Sequence, residues 1–285
     1  MIPAFPPEAP PPLSAPEPVP MLLRDLIHER IGIFFDPDRL DTMLDKLAPR
    51  ARLHGCRSYL DYYYILKYEE KGREEWLRVM DCFSVQETFF WREFDQMRAV
   101  VDMLVPAWFR AHDRPLRIWS AACASGEEPY SLAMALIESG WGAHPIEIVA
   151  TDASEEALAR ARVAYFRERS FRALPPELRA RYFLAKGEGY ILHPEVVSRV
   201  DFRWANLLDL EGTAAPEKVE VIFCRNVFIY FSPASIARVV GSFARRIAPA
   251  GHLFVGASES LNKLTADFSL QELGSAFVYR HQPLP

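Results

Sequence analysis

Residues 117–136, RIWSAACASGEEPYSLAMAL, constrain the fold of this chain more than any other stretch. Leu116, Ile118 and Trp119 form a short apolar run of strand character, residues 121–126 are small, and Leu132, Met134, Ala135 and Leu136 begin a helical period. Strand, tight turn and helix in that order predict the opening of a nucleotide-binding βαβ unit, where small residues let a ligand approach the backbone at a helix N-terminus. Ala122, Ala124 and Gly126 stand at the spacing of a Gly-x-Gly-x-Gly turn. A ligand-free α/β turn would satisfy the same spacing.

The residues after the turn narrow the ligand. Glu127 and Glu128 fall in the first helical turn, where they favour the helix dipole but would repel a pyrophosphate. S-adenosylmethionine carries a sulfonium, an ammonium and a ribose with two hydroxyls, so carboxylates here suit it better than NAD or ATP. The following segments alternate. Strands are expected at residues 116–121, 147–151, 201–204, 219–224 and 252–256, with helices at 127–139, 154–164 and 233–248 between them. Such alternation implies a mostly parallel sheet covered on both faces. A closing hairpin, 268–273 and 276–281 about Gly274-Ser275, would give that sheet an antiparallel edge. A helix at 176–183 precedes residues 184–199, which do not fit the alternation and read as a small β excursion.

Ligand-binding residues should gather at the carboxyl edge of such a sheet. Asp152 ends the second strand, 26 residues after Gly126, where a carboxylate accepts hydrogen bonds from ribose hydroxyls; it would serve equally as a cap for the helix beginning near Ser154. Asn206 lies at the exit of the third strand, and Arg225 and Asn226 at the exit of the fourth.

Several stretches resemble one family. Trp119-Ser120-Ala121-Ala122-Cys123 followed by Gly126-Glu127-Glu128-Pro129-Tyr130-Ser131 resembles the signature of the CheR-type chemotaxis receptor methyltransferases, which esterify glutamates on chemoreceptors. Thr88-Phe89-Phe90-Trp91-Arg92-Glu93 is similar to the family's Thr-x-Phe-Phe-Arg-Glu, with Trp91 in place of the usual phenylalanine. Cys224-Arg225-Asn226-Val227-Phe228-Ile229-Tyr230-Phe231 is similar to its Cys-Arg-Asn-Val-x-Ile-Tyr-Phe, and residues 256–261 resemble its late Gly-x-Ser-Glu turn. The resemblance runs from about residue 21 to residue 281. It implies a Rossmann-like S-adenosylmethionine-dependent methyltransferase sheet with an N-terminal all-α domain, the product being S-adenosylhomocysteine. It places Gln86, Thr88, Arg92, Ala122, Gly126, Glu127, Asp152, Asn206, Leu207, Arg225 and Asn226 at the cofactor. Asn206-Leu207 matches an Asn-Leu pair near the adenine, and Tyr230 is expected to line the methyl pocket. Without the resemblance Tyr230 reads as a core aromatic, and Arg92 as a surface ion pair with Glu93 or Asp95.

The chemistry needs few groups. A glutamate is ionised at pH 7 and attacks a sulfonium methyl without a general base, so alignment and exclusion of water carry the rate. Arg92 beside a sulfonium would repel it, and is better used as a bidentate clamp on the incoming carboxylate.

The N-terminal part reads differently. Nine of the first twenty residues are proline, which predicts a disordered or polyproline-II tail over 1–20. From Met21 to residue 93 the pattern is helical: Leu22, Leu23, Leu26 and Ile27 in a first helix; Asp36 as N-cap and Leu40, Met43, Leu44 and Leu47 in a second; Ser58 capping a third with Leu60, Tyr63, Tyr64 and Leu66; and Trp76, Leu77 and Met80 in a fourth. Tyr62, Tyr63 and Tyr64 are read as core. Lys46, Arg50, Arg52 and Arg57 gather at the end of the second helix. Cations there favour the helix dipole without any partner. In the family this domain meets the acidic receptor coiled coil, and the resemblance carries receptor docking onto these four residues. A helix at 94–110 leads into a catalytic domain over 94–285. The family's β subdomain can hold a receptor's C-terminal peptide tether, but the excursion here is short and a tether is not expected.

With 285 residues, half of them hydrophobic, the chain can build two modest cores. A net charge of −5 argues against a nucleic-acid duplex as main partner. Cys56, Cys82, Cys123 and Cys224 show no C-x-x-C pairing and read as structural thiols. No signal peptide or bilayer-length apolar run is seen, so a cytoplasmic monomer without membrane insertion or metal is expected. The Asn/Asp-Pro-Pro-aromatic motif of adenine-N6 methyltransferases and the Pro-Cys of cytosine-C5 enzymes are absent. A carboxyl methyltransferase of another acceptor, or a non-catalytic cofactor-binding signalling module, are the alternatives.

Overall fold

The computed structural model describes residues 12–84 and 87–282. They divide into two compact units, one of residues up to Arg30 with Phe34–Phe83, the other of Ile31–Ile33 and residues from Ser84 onward.

The first unit is built from α1 (Val19–Ile31), α2 (Leu40–Leu53), α3 (Tyr59–Tyr68) and α4 (Gly72–Phe83). Ser58 caps α3 in a capping box: its hydroxyl accepts from the Asp61 amide at 3.2 Å, and the Asp61 carboxylate accepts from the Ser58 amide at 2.9 Å. Asp36 makes no side-chain cap bond. It opens a 3₁₀ turn, Pro37–Arg39, and α2 begins only at Leu40.

Met43, Leu44 and Leu47 are buried as their period requires. Tyr59, Tyr62 and Tyr63 of α3 are also buried, but Tyr64 keeps 52% of its surface, because successive helical residues are about 100° apart and the inward arc is already filled. On α4 an inward position belongs to Glu75, at 3% exposure, while Leu77 faces out. The Glu75 carboxylate accepts from Arg50 Nε at 2.9 Å and from Arg50 Nη2, accepts from the Tyr62 hydroxyl at 2.6 Å, and lies 2.8 Å from His54 Nε2. Burial alone would raise its pKa, but these bonds outweigh burial and hold the carboxyl below its ordinary range. Arg50 is therefore tied into the bundle.

Order also reaches further toward the N-terminus than the proline content suggests. Ser14 bridges to Ser58, and its carbonyl accepts from the Tyr59 amide at 2.9 Å. Val19 and Pro20, placed in the disordered or polyproline-II tail by the sequence, already belong to α1, and residues 1–11 lie outside the described residues.

The second unit opens with α5 (Phe94–Ala99) and α6 (Val105–Ala111), joined by a π turn, Val100–Leu104, just before Pro106, which lacks an amide donor for the helical ladder. The strands are β1 (Leu116–Ala121), β2 (Ile146–Asp152), β3 (Tyr165–Phe166), β4 (Phe183–Lys186), β5 (Gly189–Leu192), β6 (Val200–Trp204), β7 (Val219–Phe223), β8 (Ile247–Phe254), β9 (Phe268–Leu273) and β10 (Ala276–His281). Between them lie α7 (Glu127–Glu138), α8 (Glu155–Val163), α9 (Pro176–Tyr182), α10 (Pro194–Val197) and α11 (Pro233–Arg246).

Among the described residues, seven strands form one sheet in the order β6-β2-β1-β7-β8-β10-β9. Every pairing from β6 to β8 is parallel, and β10 is antiparallel to both its neighbours. The closing hairpin therefore does not put its reversed strand at the edge: β10 is inserted beside β8, and the edge strand β9 runs with the rest. Residues alternate between two cores. Ile118, Val221 and Phe223 face one, and Trp119, Ile222 and Phe243 the other.

A second sheet, β3-β5-β4, forms the β excursion. It starts at Tyr165 rather than at residue 184, because β3 pairs with β5 across the intervening α9.

His252 on β8 is paired with Arg280 of β10. Burial, reinforced by the Arg280 charge, pushes its imidazole down to about 4. The neutral form is favoured by folding, so this contribution to stability is complete above about pH 6.5 and is lost as the pH falls toward 4. Replacing His252→Gln is expected to flatten the acid limb of stability by up to roughly 3 kcal/mol between pH 7 and pH 4. Urea midpoints of the two proteins with the same pH slope would show that the ring is not held neutral.

Candidate active site

The carboxyl ends of β1, β2, β6, β7 and β8 deliver five loops to one edge of the sheet, and the chain runs from β1 outward through β2 to β6 before crossing to β7 on the other side of β1, which makes a switch point between β1 and β7. The loop after β1 is an alternating left-handed turn. Ala122, Ala124 and Gly126 have φ of 63°, 49° and 92°. Alanine holds that conformation at a cost of about 1 kcal/mol or more. Position 126 has a further reason for glycine: a Cβ there would meet Ala161 and Tyr130 at 3.1 Å and Phe202 at 3.2 Å.

Asp152 fastens this turn. One carboxylate oxygen accepts from the Ala124 amide at 2.8 Å and the other from the Ser154 amide at 2.9 Å. Ser154 itself caps α8, its hydroxyl accepting from the Ala157 amide at 3.0 Å. Asp152 thus braces the turn before the cap and is not the cap.

Glu127 is buried, with Ser125 and Ser170 hydroxyls donating to its two oxygens at 2.7 and 3.0 Å. Burial pushes its carboxyl up, against those hydrogen bonds. Glu128 accepts from the Ser120 hydroxyl at 2.7 Å; burial raises its pKa too, and Arg225 opposes the rise.

Arg225 is the centre of the arrangement, its side chain 2% exposed. Nη2 donates to the Arg92 carbonyl at 2.6 Å and stands 3.5 Å from a Glu93 oxygen, while Nη1 stands 3.4 Å from a Glu128 oxygen. That last contact is an ion pair without hydrogen-bond geometry, so Nη1 and Nε have no hydrogen-bond partner among the described residues. Glu93 also accepts from Asn226 Nδ2 at 3.4 Å and from the Ala257 amide at 3.2 Å.

Residues 88–93 are held by Phe90, fully buried against Phe166, Phe171 and Phe183 at ring distances of 4.7, 5.6 and 5.0 Å. Trp91, at φ 66°, stacks on Phe94 at 4.5 Å and donates its amide to Ser131. The substituted tryptophan is therefore packed on this loop's own helix. Arg92 donates to the Glu87 carbonyl at 3.0 Å and lies 5.5 Å from the Phe89 ring. Among the described residues it pairs with neither Glu93, which serves Arg225, nor Asp95, which pairs with Arg98.

Contacts thus bring Ala122, Gly126, Asp152, Arg92, Arg225 and Asn226 onto connected loops. Asn206 turns the chain after β6, its side-chain oxygen accepting from the Leu208 amide, while the Leu207 side chain belongs to the core beneath. Thr88 and Tyr230 are half-buried, Tyr230 ending a 3₁₀ turn, Phe228–Tyr230. Gln86 lies outside the described residues. Lys46, Arg50, Arg52 and Arg57 belong to the first unit. Burial pushes the Cys123 and Cys224 thiols well up, which disfavours the thiolate at both.

Glu93 and Glu259 shape the site without having been read as site residues. Both stand inside stretches noted for their resemblance, which locates them in the sequence but does not show the amides and the arginine that the fold brings to them.

The carboxylates around the turn and the two orphaned donors of Arg225 fit a ligand with both cationic and acceptor groups and no pyrophosphate. Fold and site together define a Rossmann-like α/β protein of the methyltransferase class. The sequence matches the family described as "CheR methyltransferase, SAM binding domain" over residues 86–277 and "CheR methyltransferase, all-alpha domain" over residues 21–84. It is 33% identical over 261 residues to Chemotaxis protein methyltransferase 2 of Vibrio cholerae, covering 90% of each chain. It is 33% identical over 267 residues to Chemotaxis protein methyltransferase 1 of Pseudomonas aeruginosa, covering 91% of this chain and 96% of that one. The chain belongs to the CheR methyltransferase family and uses S-adenosylmethionine as cofactor.

Removing the Arg225 charge leaves Glu93 and Glu128 facing each other without compensation. Arg225→Met is expected to cost about 2 to 3 kcal/mol at pH 7, below the full figure for a buried pair because both acids are partly solvated. The loss should shrink toward pH 5: Glu128 already titrates above its unfolded value, the variant raises it further, and protonation on acidification removes the penalty. A loss independent of pH, read from urea unfolding, would contradict the charge account.

Proposed function

We propose that the chain methylates glutamate side chains of chemoreceptors, giving glutamyl methyl esters and S-adenosylhomocysteine. The observation that supports it best is Arg92, whose guanidinium lacks a carboxylate partner among the described residues although acids flank it in sequence. It is left for a carboxylate brought from outside.

When bound, the cofactor supplies a methyl on a positively charged sulfur, which passes to a carboxylate oxygen as the sulfur–carbon bond breaks. The chain's residues then have limited tasks. Arg92 holds the incoming carboxylate in its planar fork. Arg225 fixes the Arg92 backbone and offers Nε and Nη1 to acceptor atoms of the cofactor. Asp152, at the end of β2, accepts from ribose hydroxyls while bracing the turn, and Glu127 adds negative charge near the cofactor's cations. Thr88, Asn206 and the backbone at Leu207 complete the cofactor site, and the Tyr230 ring borders the methyl. The attacking carboxylate is already ionised, so no proton needs to move.

The test uses labelled S-adenosylmethionine and a chemoreceptor cytoplasmic fragment. Base-labile label released as methanol supports glutamyl esters, and its absence sinks the reading. Arg92→Lys keeps the charge but loses the fork. Single-turnover transfer at saturating cofactor and receptor is expected to fall tenfold or more, about 1.4 kcal/mol in barrier. A wild-type rate would remove Arg92 from the clamp.

Docking of the acidic receptor helices, in the cytoplasm and by a monomer, is proposed for the exposed Lys46, Arg52 and Arg57, with Arg50 reassigned to the bundle interior. Reversing the three exposed cations to glutamate is expected to slow receptor methylation most at low salt and leave cofactor affinity unchanged. Arg50→Ala should instead lower stability by about 3 kcal/mol, because the buried Glu75 loses its guanidinium partner and keeps only Tyr62 and His54. Equal receptor kinetics for the triple variant and the wild type at low salt would leave the patch a solvated surface.

A further inference from the structure

We infer that Glu259 is a positioning residue that sets both halves of the site after β7, the cofactor-facing Arg225-Asn226 pair and the turn that carries Tyr230. The inference rests on the reading of Asn226 and Tyr230 given above.

β7 and β8 stay paired as far as Cys224, whose amide donates to the Phe254 carbonyl at 2.9 Å. Two residues on, the ladder is replaced by a side chain. The Asn226 amide donates to Glu259 Oε2 at 2.8 Å, and the Gly256 amide donates to the same oxygen at 2.7 Å. The other oxygen accepts from the Ile229 amide at 3.3 Å. One carboxylate therefore gathers three amides from two loops that would otherwise diverge.

Its close approach is built into the backbone. A Cβ on Gly256 would lie 2.5 Å from Asn226 Nδ2, 2.9 Å from Glu259 Oε2 and 3.0 Å from the Asn226 nitrogen. Asn226 itself sits at φ 58°, a left-handed conformation that needs outside support. The 2.8 Å bond to Glu259 supplies it, and the Asn226 side chain is thereby aimed at Glu93.

The two oxygens have separable duties, and this gives the inference its test. In Glu259→Gln the single carbonyl oxygen should stay with the two short donors, Gly256 and Asn226. The amide nitrogen then faces the Ile229 N–H, donor against donor, and loosens the turn of Tyr230. Affinity for S-adenosylhomocysteine, measured by calorimetry, is expected to stay within about twofold of wild type, while single-turnover methyl transfer to a receptor fragment falls about tenfold. Glu259→Ala frees both loops, and calorimetric affinity should also fall about tenfold. Amide exchange at Asn226 and Ile229 should accelerate together in the Ala variant and at Ile229 alone in the Gln variant.

A merely structural carboxylate would lower the melting temperature of both variants and move neither affinity nor rate in the folded protein. That result overturns the inference, as does a Gln variant that loses affinity and rate in equal measure. Asn226→Ala separates the failures. Weakened affinity there with wild-type behaviour in both Glu259 variants refutes the positioning role alone. Unchanged affinity in Asn226→Ala refutes the reading of the cofactor site beneath it. Should Glu259→Ala fail to fold, the Gln variant decides.

Discussion

Parallel strands that end along one sheet edge leave their loops with amide donors that no ladder can satisfy, and in this protein carboxylates satisfy them. Asp152 takes the Ala124 and Ser154 amides, Glu259 those of Gly256, Asn226 and Ile229, and Glu93 that of Ala257. Each bond is charge-assisted and so stronger than a neutral one. A loop held this way is rigid enough to present a ligand contact, and the edge as a whole becomes acidic. That acidity suits a cofactor with a sulfonium and an ammonium and disfavours one with phosphates.

The same acidity needs a counterweight, and Arg225 is the buried one. Its place between Glu93 and Glu128, with a hydrogen bond to the Arg92 carbonyl, couples the exit of β7 to residues 88–93 and to the start of α7. Arg92 is thereby positioned through its backbone, and its guanidinium forms no ion pair with Glu93 or Asp95. A surface arginine beside Glu93 and Asp95 would ordinarily be spent on them. Here one acid is claimed by Arg225 and the other by Arg98.

The first unit repeats the logic with the signs reversed. Glu75, buried on α4, is satisfied by Arg50, Tyr62 and His54, so a cation that belongs by position to an exposed basic cluster becomes an internal partner. The remaining surface cations, Lys46, Arg52 and Arg57, keep the charge that long-range attraction to an acidic partner requires.

Local sequence by itself determined a good deal. The turn after β1, the capping box of Ser58 and the alternation of strands and helices follow from side-chain size, hydrogen-bonding reach and hydrophobic period, all properties of neighbouring residues. The motif residues Asp152, Arg225 and Asn226 were legible as strand-end groups for the same reason. Tertiary structure decided what depends on distant partners. Tyr64 faces out because Tyr62 and Tyr63 fill the arc, β10 sits inside the sheet because β9 takes the edge, and the β excursion begins at Tyr165 because β3 pairs with β5. Glu75 and Glu259 were unreadable as structural centres, since a carboxylate carries no periodic signal. Only the folded chain brings to it the amides and the guanidinium that make its burial favourable.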